Sequence, residues 1–350
     1  MNKFLFSIGI MALFVSCQEQ KNQDDNAEQS KTDKKENTMN NLKSGKNEVT
    51  FKSQGVKLAG FLFTPEDFDE SQIYPTIIFS GPFNQVKEQM GSKYSKKFAK
   101  KGYVFLTYDP YSFGDSEGEP RNNEHAHYKM ESIRDAISYL RTLPFVDREK
   151  LYGYGGCASG GYMALVAVTD KRLKAIATVS GMMDNQASYF GVMNKEQLMP
   201  LFEFANEARQ KEYERGEVEY YDALNIEGSD RSREGYDYYM TERAGAQTYP
   251  NYSHLAPKTL MENAPITSAV LYAPYLYTPY LGIIGEKSIP KEGDAPQPLH
   301  TGPLTVSFYN AASEPKELFT VPGSSHVDLY DRDEYVDQAV AKMDEFFKKY

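Results

Sequence analysis

One segment carries most of the structural information in this chain, and it reads Gly155-Gly156-Cys157-Ala158-Ser159-Gly160-Gly161. Residues 150–154 before it predict a short strand, and the apolar residues 162–167 after it predict a helix. The glycines permit a strained turn between the two, which would lift one side chain into a cleft while the helix directs backbone N–H groups at an anion. The segment therefore predicts a nucleophile held between a strand and a helix.

Two residues of this segment are candidate nucleophiles. Cys157 has small residues two positions before and two positions after it, and so does Ser159. The alternative interpretation of Cys157 is a degenerate, inactive turn. For Ser159 the alternative is a small residue in the first helical turn, whose hydroxyl bonds to the backbone.

His326 is the candidate general base. It lies in a loop after a strand predicted over residues 316–321 and before an amphipathic helix predicted over residues 334–350. An imidazole that titrates near neutrality can take the proton of the nucleophile and return it to the leaving group. The remaining histidines lack this strand-end context and form no metal-site pattern, so we expect neither a metal nor another cofactor.

Composition and periodicity indicate a folded α/β domain. The chain has 350 residues, 40% of them hydrophobic, and a formal net charge of −10, which argues against a nucleic-acid partner. Predicted strands and helices alternate from residue 75 to residue 179. Such alternation is typical of a mostly parallel, doubly wound sheet with helices on both faces.

The alternation stops near Asp184 and resumes at residue 280, which leaves an insertion far longer than usual connections. We interpret residues 186–277 as a helical lid whose tyrosines, Tyr236 and Tyr239 among them, line a substrate cavity. The alternative is a helical subdomain that packs its own aromatic side chains.

The amino-terminal residues form separate segments. Residues 4–15 are an apolar run after a positive charge, within signal-peptide range and too short to span a bilayer. Residues 14–17 resemble the lipobox of bacterial lipoproteins, so residues 1–17 are predicted to be a signal peptide with Cys17 as the lipidation site. Residues 18–46 predict a disordered polar tether, and residues 47–350 the folded domain. These features predict a lipid-anchored protein of the bacterial cell envelope.

Four separated motifs carry a family resemblance, and they lie at residues 81–89, 109–118, 147–157 and 326–331. Together they resemble the α/β-hydrolase superfamily, specifically bacterial members similar to dienelactone hydrolase. The resemblance implies an α/β-hydrolase fold. Counted from Asp147, it favours Cys157 over Ser159 as the nucleophile, and it implies that the N–H groups of Phe83 and Ala158 bind the oxyanion.

The resemblance also implies a carboxylate that orients His326, and this chain lacks one at the usual position. The family usually carries an Asp three residues after the glycine that ends the seventh strand, and this chain has Ser288 there. Glu286 in the same turn is one candidate to orient His326. Asp184, after the sixth strand, is the other, at a position that other superfamily members use.

The sequence thus predicts a hydrolase that cleaves an ester, thioester or activated amide of a small acyl substrate through a covalent intermediate on Cys157. One alternative is a serine hydrolase that uses Ser159. Another is a noncatalytic ligand-binding lipoprotein on a degenerate α/β-hydrolase fold, which the missing Asp favours.

The anchor can be tested directly. We expect Cys17→Ser to release the protein from the membrane fraction or to leave the precursor uncleaved, because the acylated thiol would be lost. Fractionation followed by mass measurement of the amino terminus checks this. Wild-type protein found in the soluble fraction would contradict the anchor.

Overall fold

The computed structural model describes residues 42–224, 230–290 and 301–350. The predicted signal peptide, Cys17 and most of the predicted tether lie outside these residues, as does His300. The ordered body begins before residue 47, because its first strand starts at Gly45. Within the described ranges, no helix is both long enough and apolar enough to cross a bilayer.

The strands form one large sheet and one small one. Their bounds are β1 Gly45–Ser53, β2 Val56–Thr64, β3 Tyr74–Ser80, β4 Val104–Tyr108, β5 Val146–Gly156, β6 Ala175–Val179, β7 Tyr220–Asp222, β8 Leu255–Pro257, β9 Tyr280–Gly285 and β10 Lys316–Val321. The large sheet has the order β1-β2-β4-β3-β5-β6-β9-β10, and β7 pairs with β8. Strands β1 and β2 pair antiparallel with each other, β2 pairs antiparallel with β4, and all other neighbours in the large sheet are parallel. The predicted mostly parallel sheet is confirmed.

The helices follow the strands in the predicted alternation. Their bounds are α1 Met90–Ala99, α2 Ala126–Leu140, α3 Ala158–Thr169, α4 Asn185–Phe190, α5 Lys195–Arg215, α6 Asp230–Tyr239, α7 Thr301–Ala311, α8 Asp328–Asp331 and α9 Asp333–Phe347. Apolar side chains from the helices cover both faces of the sheet and form two buried clusters. The central strands β4, β6 and β9 are buried along their whole length, as strands covered on both faces must be.

Helix α1 begins only at Met90, ten residues after the end of β3. Residues 87–89 continue the loop after β3, because the Lys87 N–H donates to the Asp109 carboxylate and the Lys87 carbonyl accepts from Ser92 Oγ. These contacts fix the loop immediately before the helix.

The insertion between β6 and β9 is structured. Helix α5 is amphipathic, since Leu198, Ala205 and Ala208 are buried on one face. Helices α4 and α6, the β7-β8 pair and several 3-10 turns complete the described part of this segment.

A buried ion pair ties the loop after β3 to the loop after β4. Lys87 Nζ lies 2.7 Å from Asp109 Oδ2 and also contacts Asp115 and Glu88. Asp109 is fully buried and accepts two backbone N–H groups besides the ammonium. Burial alone would lower the pKa of Lys87, but the charge and hydrogen bonds of Asp109 outweigh that effect and raise it. Lys87 therefore remains charged.

We expect Lys87→Met to lower the free energy of unfolding by about 3–5 kcal/mol, because it leaves the Asp109 carboxylate buried without its partner. Chemical denaturation measures this change. Lys93→Met is the matched control: Lys93 pairs with Asp333 at 2.9 Å on the surface, and the expected change is below about 1 kcal/mol. Equal losses in the two variants would show that the buried pair holds the loops no more strongly than a surface pair.

Candidate active site

Cys157 connects β5 to α3 in a strained backbone conformation. Its φ is +46° and its ψ is −115°, values that a residue with a side chain rarely adopts. Its N–H donates to the Val179 carbonyl at 3.0 Å, and its own carbonyl accepts from the N–H groups of Gly160 and Met182. Three backbone contacts therefore hold the strained residue in place.

The glycines of this turn are required by close packing. A Cβ at Gly160 would lie 2.8 Å from Gly181 Cα, and one at Gly161 would lie 2.6 Å from the Met182 carbonyl oxygen. Helix α3 can therefore approach the loop after β6 only because these residues lack a side chain. That approach brings the start of the helix, and its N–H groups, next to Cys157.

The two candidate nucleophiles occupy different environments. Cys157 is half-buried and lines a cavity of about 260 Å³. Ser159 is fully buried, and its hydroxyl donates to the Gly81 carbonyl and accepts from Ser80 Oγ at 2.9 Å. The hydroxyl of Ser159 is thus used in hydrogen bonds to residues 80 and 81. Of the two candidates, Cys157 lines the cavity and Ser159 does not.

The insertion supplies much of the cavity wall. Its contribution is mostly aromatic and aliphatic, with Glu234 as a charged member, and the apolar residues include Tyr189, Tyr221, Leu224, Tyr239, Leu260 and Met261. Tyr239 is 6% exposed and lines the cavity as predicted. Tyr236 is 53% exposed and lies outside the cavity lining, so the structure does not bring it to the substrate cavity.

His326 lies beside Cys157 on the cavity wall. Its Nδ1 is 2.7 Å from Thr301 Oγ1, and its Nε2 is 2.7 Å from the Tyr330 hydroxyl. The turn at Cys157 and the histidine loop therefore line one cavity.

Tyr330 is hydrogen-bonded to both His326 and Cys157, and no motif in the sequence indicates this role. It is 1% exposed, and its hydroxyl is hydrogen-bonded to the Cys157 thiol as well as to the imidazole. Burial, followed by the charge at Cys157, raises the pKa of Tyr330 well above its usual value, so the phenol keeps its proton. No helical pattern in the sequence marks it, because His326 lies in the turn before α8 and only Tyr330 belongs to that helix.

The two candidate carboxylates have other partners. Asp184 caps α4 by accepting the Ala187 N–H at 3.1 Å, and Glu286 accepts the Gly323 N–H at 2.7 Å. The structure does not bring either carboxylate into contact with the imidazole. Glu286 instead fixes the turn that leads from β10 to His326, and the Nδ1 atom of His326 meets the hydroxyl of Thr301.

The predicted oxyanion residues flank Cys157. Phe83 and Ala158 both line the cavity, Ala158 as the first residue of α3 and Phe83 in the loop after β3. The next residue, Asn84, has a φ of +53°, so the loop turns sharply at this point. The role of their N–H groups as oxyanion donors stays a prediction.

A buried ion pair that no sequence pattern indicates supports the loop that carries Phe83. Glu124 Oε2 accepts the Asn84 N–H at 3.2 Å and lies 3.1 Å from Lys129 Nζ, which reaches the Pro82 carbonyl at 3.5 Å. Burial raises the pKa of Glu124, and the Lys129 charge opposes the rise. No cluster of three or more potential metal ligands occurs in the described part of the chain.

The chain is similar to several known proteins. The model of the X-Pro dipeptidyl-peptidase (S15) family matches residues 54–264. The uncharacterised Escherichia coli K12 protein YcjY is 32% identical over 87% of this chain and 98% of its own length. A Eupenicillium brefeldianum thiohydrolase is 33% identical over 37% of this chain and 41% of its own length.

A solved structure supports the fold. The α/β-hydrolase GrgF from Penicillium superimposes with a TM-score of 0.71 over 87% of this chain and 98% of that chain, at 24% sequence identity. The resemblance to the α/β-hydrolase superfamily is thereby confirmed, and the relatives indicate an enzyme rather than the noncatalytic binding protein considered from the sequence. This chain belongs to the X-Pro dipeptidyl-peptidase (S15) family of α/β-hydrolases.

Proposed function

We propose that this hydrolase cleaves a thioester, an ester or an activated amide of a small acyl substrate through a thioester acyl-enzyme on Cys157. The observation that carries the proposal is the position of the Cys157 thiol. It lies at the strained turn, faces the cavity and is linked through Tyr330 to His326. The name of the thiohydrolase relative favours a thioester among the three bond types.

The first half of the reaction forms the acyl-enzyme. Cys157 Sγ attacks the carbonyl carbon, its proton moves to His326, and the carbonyl oxygen takes the negative charge. The N–H groups of Phe83 and Ala158 bind this oxyanion, a contribution of about 3 kcal/mol per donor. When the tetrahedral intermediate collapses, the bond to the leaving group breaks and His326 protonates that group.

The second half hydrolyses the acyl-enzyme. Water attacks the thioester carbon, and His326 accepts the proton of the water. Collapse of the second intermediate releases the carboxylic acid, and the proton held by His326 returns to the Cys157 sulfur. No redox or group-carrying cofactor is required by these steps.

Tyr330 is proposed to relay the first proton. Its hydroxyl contacts both Cys157 and His326 Nε2, and its raised pKa keeps it neutral. If Nδ1 carries the imidazole proton and donates it to Thr301 Oγ1, then Nε2 accepts from the Tyr330 O–H. The thiol proton can then move to the phenol oxygen as the phenol proton moves to Nε2, with no charge left on Tyr330.

The insertion is proposed to act as the lid that limits acyl size. Its residues Tyr189, Leu260 and Met261 bound the cavity opposite the strand-end loops. The cavity of about 260 Å³ and its apolar lining favour a compact, largely apolar acyl group.

The acylated residue can be identified by intact-protein mass measurement after incubation with an activated ester. We expect one acyl adduct on the wild type and on Ser159→Ala, and none on Cys157→Ala, because only Cys157 lines the cavity. An adduct that persists in Cys157→Ala and is lost in Ser159→Ala would transfer the role to Ser159.

The relay predicts that Tyr330→Phe lowers kcat for a thioester by about 10–100-fold with little change in KM, because the ring stays and only the hydroxyl is removed. The rate at which iodoacetamide alkylates Cys157 should fall in parallel. Tyr189→Phe is the matched control, since Tyr189 lines the same cavity and its hydroxyl contacts Met261 Sδ at 3.8 Å. Wild-type kcat in Tyr330→Phe would mean that the proton passes from Cys157 to His326 without Tyr330.

A further inference from the structure

One carboxylate oxygen of Glu124 takes no part in the reaction proposed for Cys157. Glu124 is 3% exposed, and its Oε2 atom serves both the Asn84 N–H and the Lys129 ammonium. Among the residues that the structure describes, no donor reaches its Oε1 atom, which is buried. A buried carboxylate oxygen without a donor is costly, and such an atom in a native protein calls for an explanation.

The position of Glu124 suggests that the missing donor belongs to a substrate. Glu124 lines the cavity together with Cys157, Phe83 and Tyr162. Its other oxygen holds the N–H of Asn84, the residue that follows the oxyanion residue Phe83. The two oxygens share one carbon, so the oxygen without a donor belongs to the same carboxylate that holds the backbone next to Phe83.

The charge at this position is already balanced. Glu124 and Lys129 are both nearly fully buried and lie 3.1 Å apart, so the pair brings no net charge to the cavity wall. An ammonium group on the substrate would add a positive charge to a largely apolar cavity and would carry a desolvation cost. A hydroxyl supplies the same hydrogen bond without that cost.

We infer that the acyl group of the substrate carries a hydroxyl on the first or second carbon along the chain from the scissile carbonyl, and that this hydroxyl donates to Glu124 Oε1. The inference rests on the proposed acyl transfer to Cys157 and names the substrate class of that reaction. Glu124 thereby selects the substrate, whereas Cys157 and His326 perform the chemistry.

The test compares thioesters of N-acetylcysteamine whose acyl groups share a four-carbon chain and differ in one substituent. The acyl groups are butyryl, 2-hydroxybutyryl, 3-hydroxybutyryl, 3-oxobutyryl and 3-aminobutyryl. We expect kcat/KM for one of the hydroxyacyl thioesters to exceed that for the butyryl and 3-oxobutyryl thioesters by about 10–100-fold, because a ketone has nearly the size of the hydroxyl but cannot donate. Equal values for the hydroxyacyl and butyryl compounds, or preference for the amine, would overturn the inference.

A variant links the preference to Glu124. In Glu124→Gln/Lys129→Met, both charges are removed together, so no lone buried ammonium remains. The amide oxygen can keep the Asn84 N–H, which places the NH2 group where Oε1 was, and the preference for hydroxyacyl over 3-oxobutyryl should disappear. Glu234→Gln is the matched control, because Glu234 also lines the cavity, and it should keep the preference. Loss of the preference in the control alone would assign the subsite to Glu234 instead.

Binding to Cys157→Ala separates this inference from the proposed reaction. Calorimetry on that variant should show tighter binding of the preferred hydroxyacyl thioester than of the butyryl thioester, by about the same factor, although no bond is cleaved. If the wild type cleaves none of the thioesters but this difference in binding is found, the reaction is wrong and the hydroxyl subsite stands. If cleavage occurs and binding shows no difference, the subsite is wrong and the reaction stands.

Discussion

The structure depends on one strained residue. Cys157 has a positive φ although it carries a side chain, a conformation that costs about 1–3 kcal/mol. The cost is tolerated because β5, β6 and α3 hold the residue through backbone hydrogen bonds to Val179, Gly160 and Met182. The same packing directs the thiol away from the sheet and into the cavity, while α3 presents its first N–H groups beside it. The strain at Cys157 and the position of its thiol on the cavity wall therefore have the same cause, which is the packing of β5, β6 and α3.

Two buried ion pairs extend this arrangement to the surrounding loops. Lys87 and Asp109 connect the loops after β3 and β4, and Glu124 with Lys129 holds the backbone at Pro82 and Asn84. Buried ion pairs contribute little net stability compared with apolar packing, but they fix geometry because an unpaired buried charge is expensive. Here they fix the loop whose Phe83 N–H is proposed to bind the oxyanion. In the Glu124 pair, one carboxylate oxygen has this positioning role, and the other is the atom proposed to accept a hydrogen bond from a substrate.

The sequence predicted where Cys157 and His326 lie in the fold, but not which side chains form hydrogen bonds with them. Cys157 and His326 could be placed at one edge of the sheet, because the carboxyl ends of parallel strands meet there and each residue follows a predicted strand. The partners of His326 could not be found in this way. Thr301 and Tyr330 approach it from α7 and α8, and Glu286 and Asp184, which the family pattern suggested, accept backbone N–H groups instead. Tyr236 and Tyr239 were equal candidates in the sequence and differ in exposure only because of the direction in which α6 packs.

The sequence by itself determined the alternation of strands and helices, the sheet that follows from it, and the turn at Cys157. These depend on the periodicity of apolar residues and on glycines at fixed spacing, which are local properties of a chain. The tertiary structure alone decided three contacts. The Ser159 hydroxyl donates to the Gly81 carbonyl, and the Tyr330 hydroxyl is hydrogen-bonded to both the thiol and the imidazole. The Glu124 carboxylate accepts the N–H of Asn84, next to Phe83. Each of these depends on a hydrogen bond between residues from different elements. Such a bond needs two groups within about 3 Å of each other, and only the packed fold sets distances to that precision.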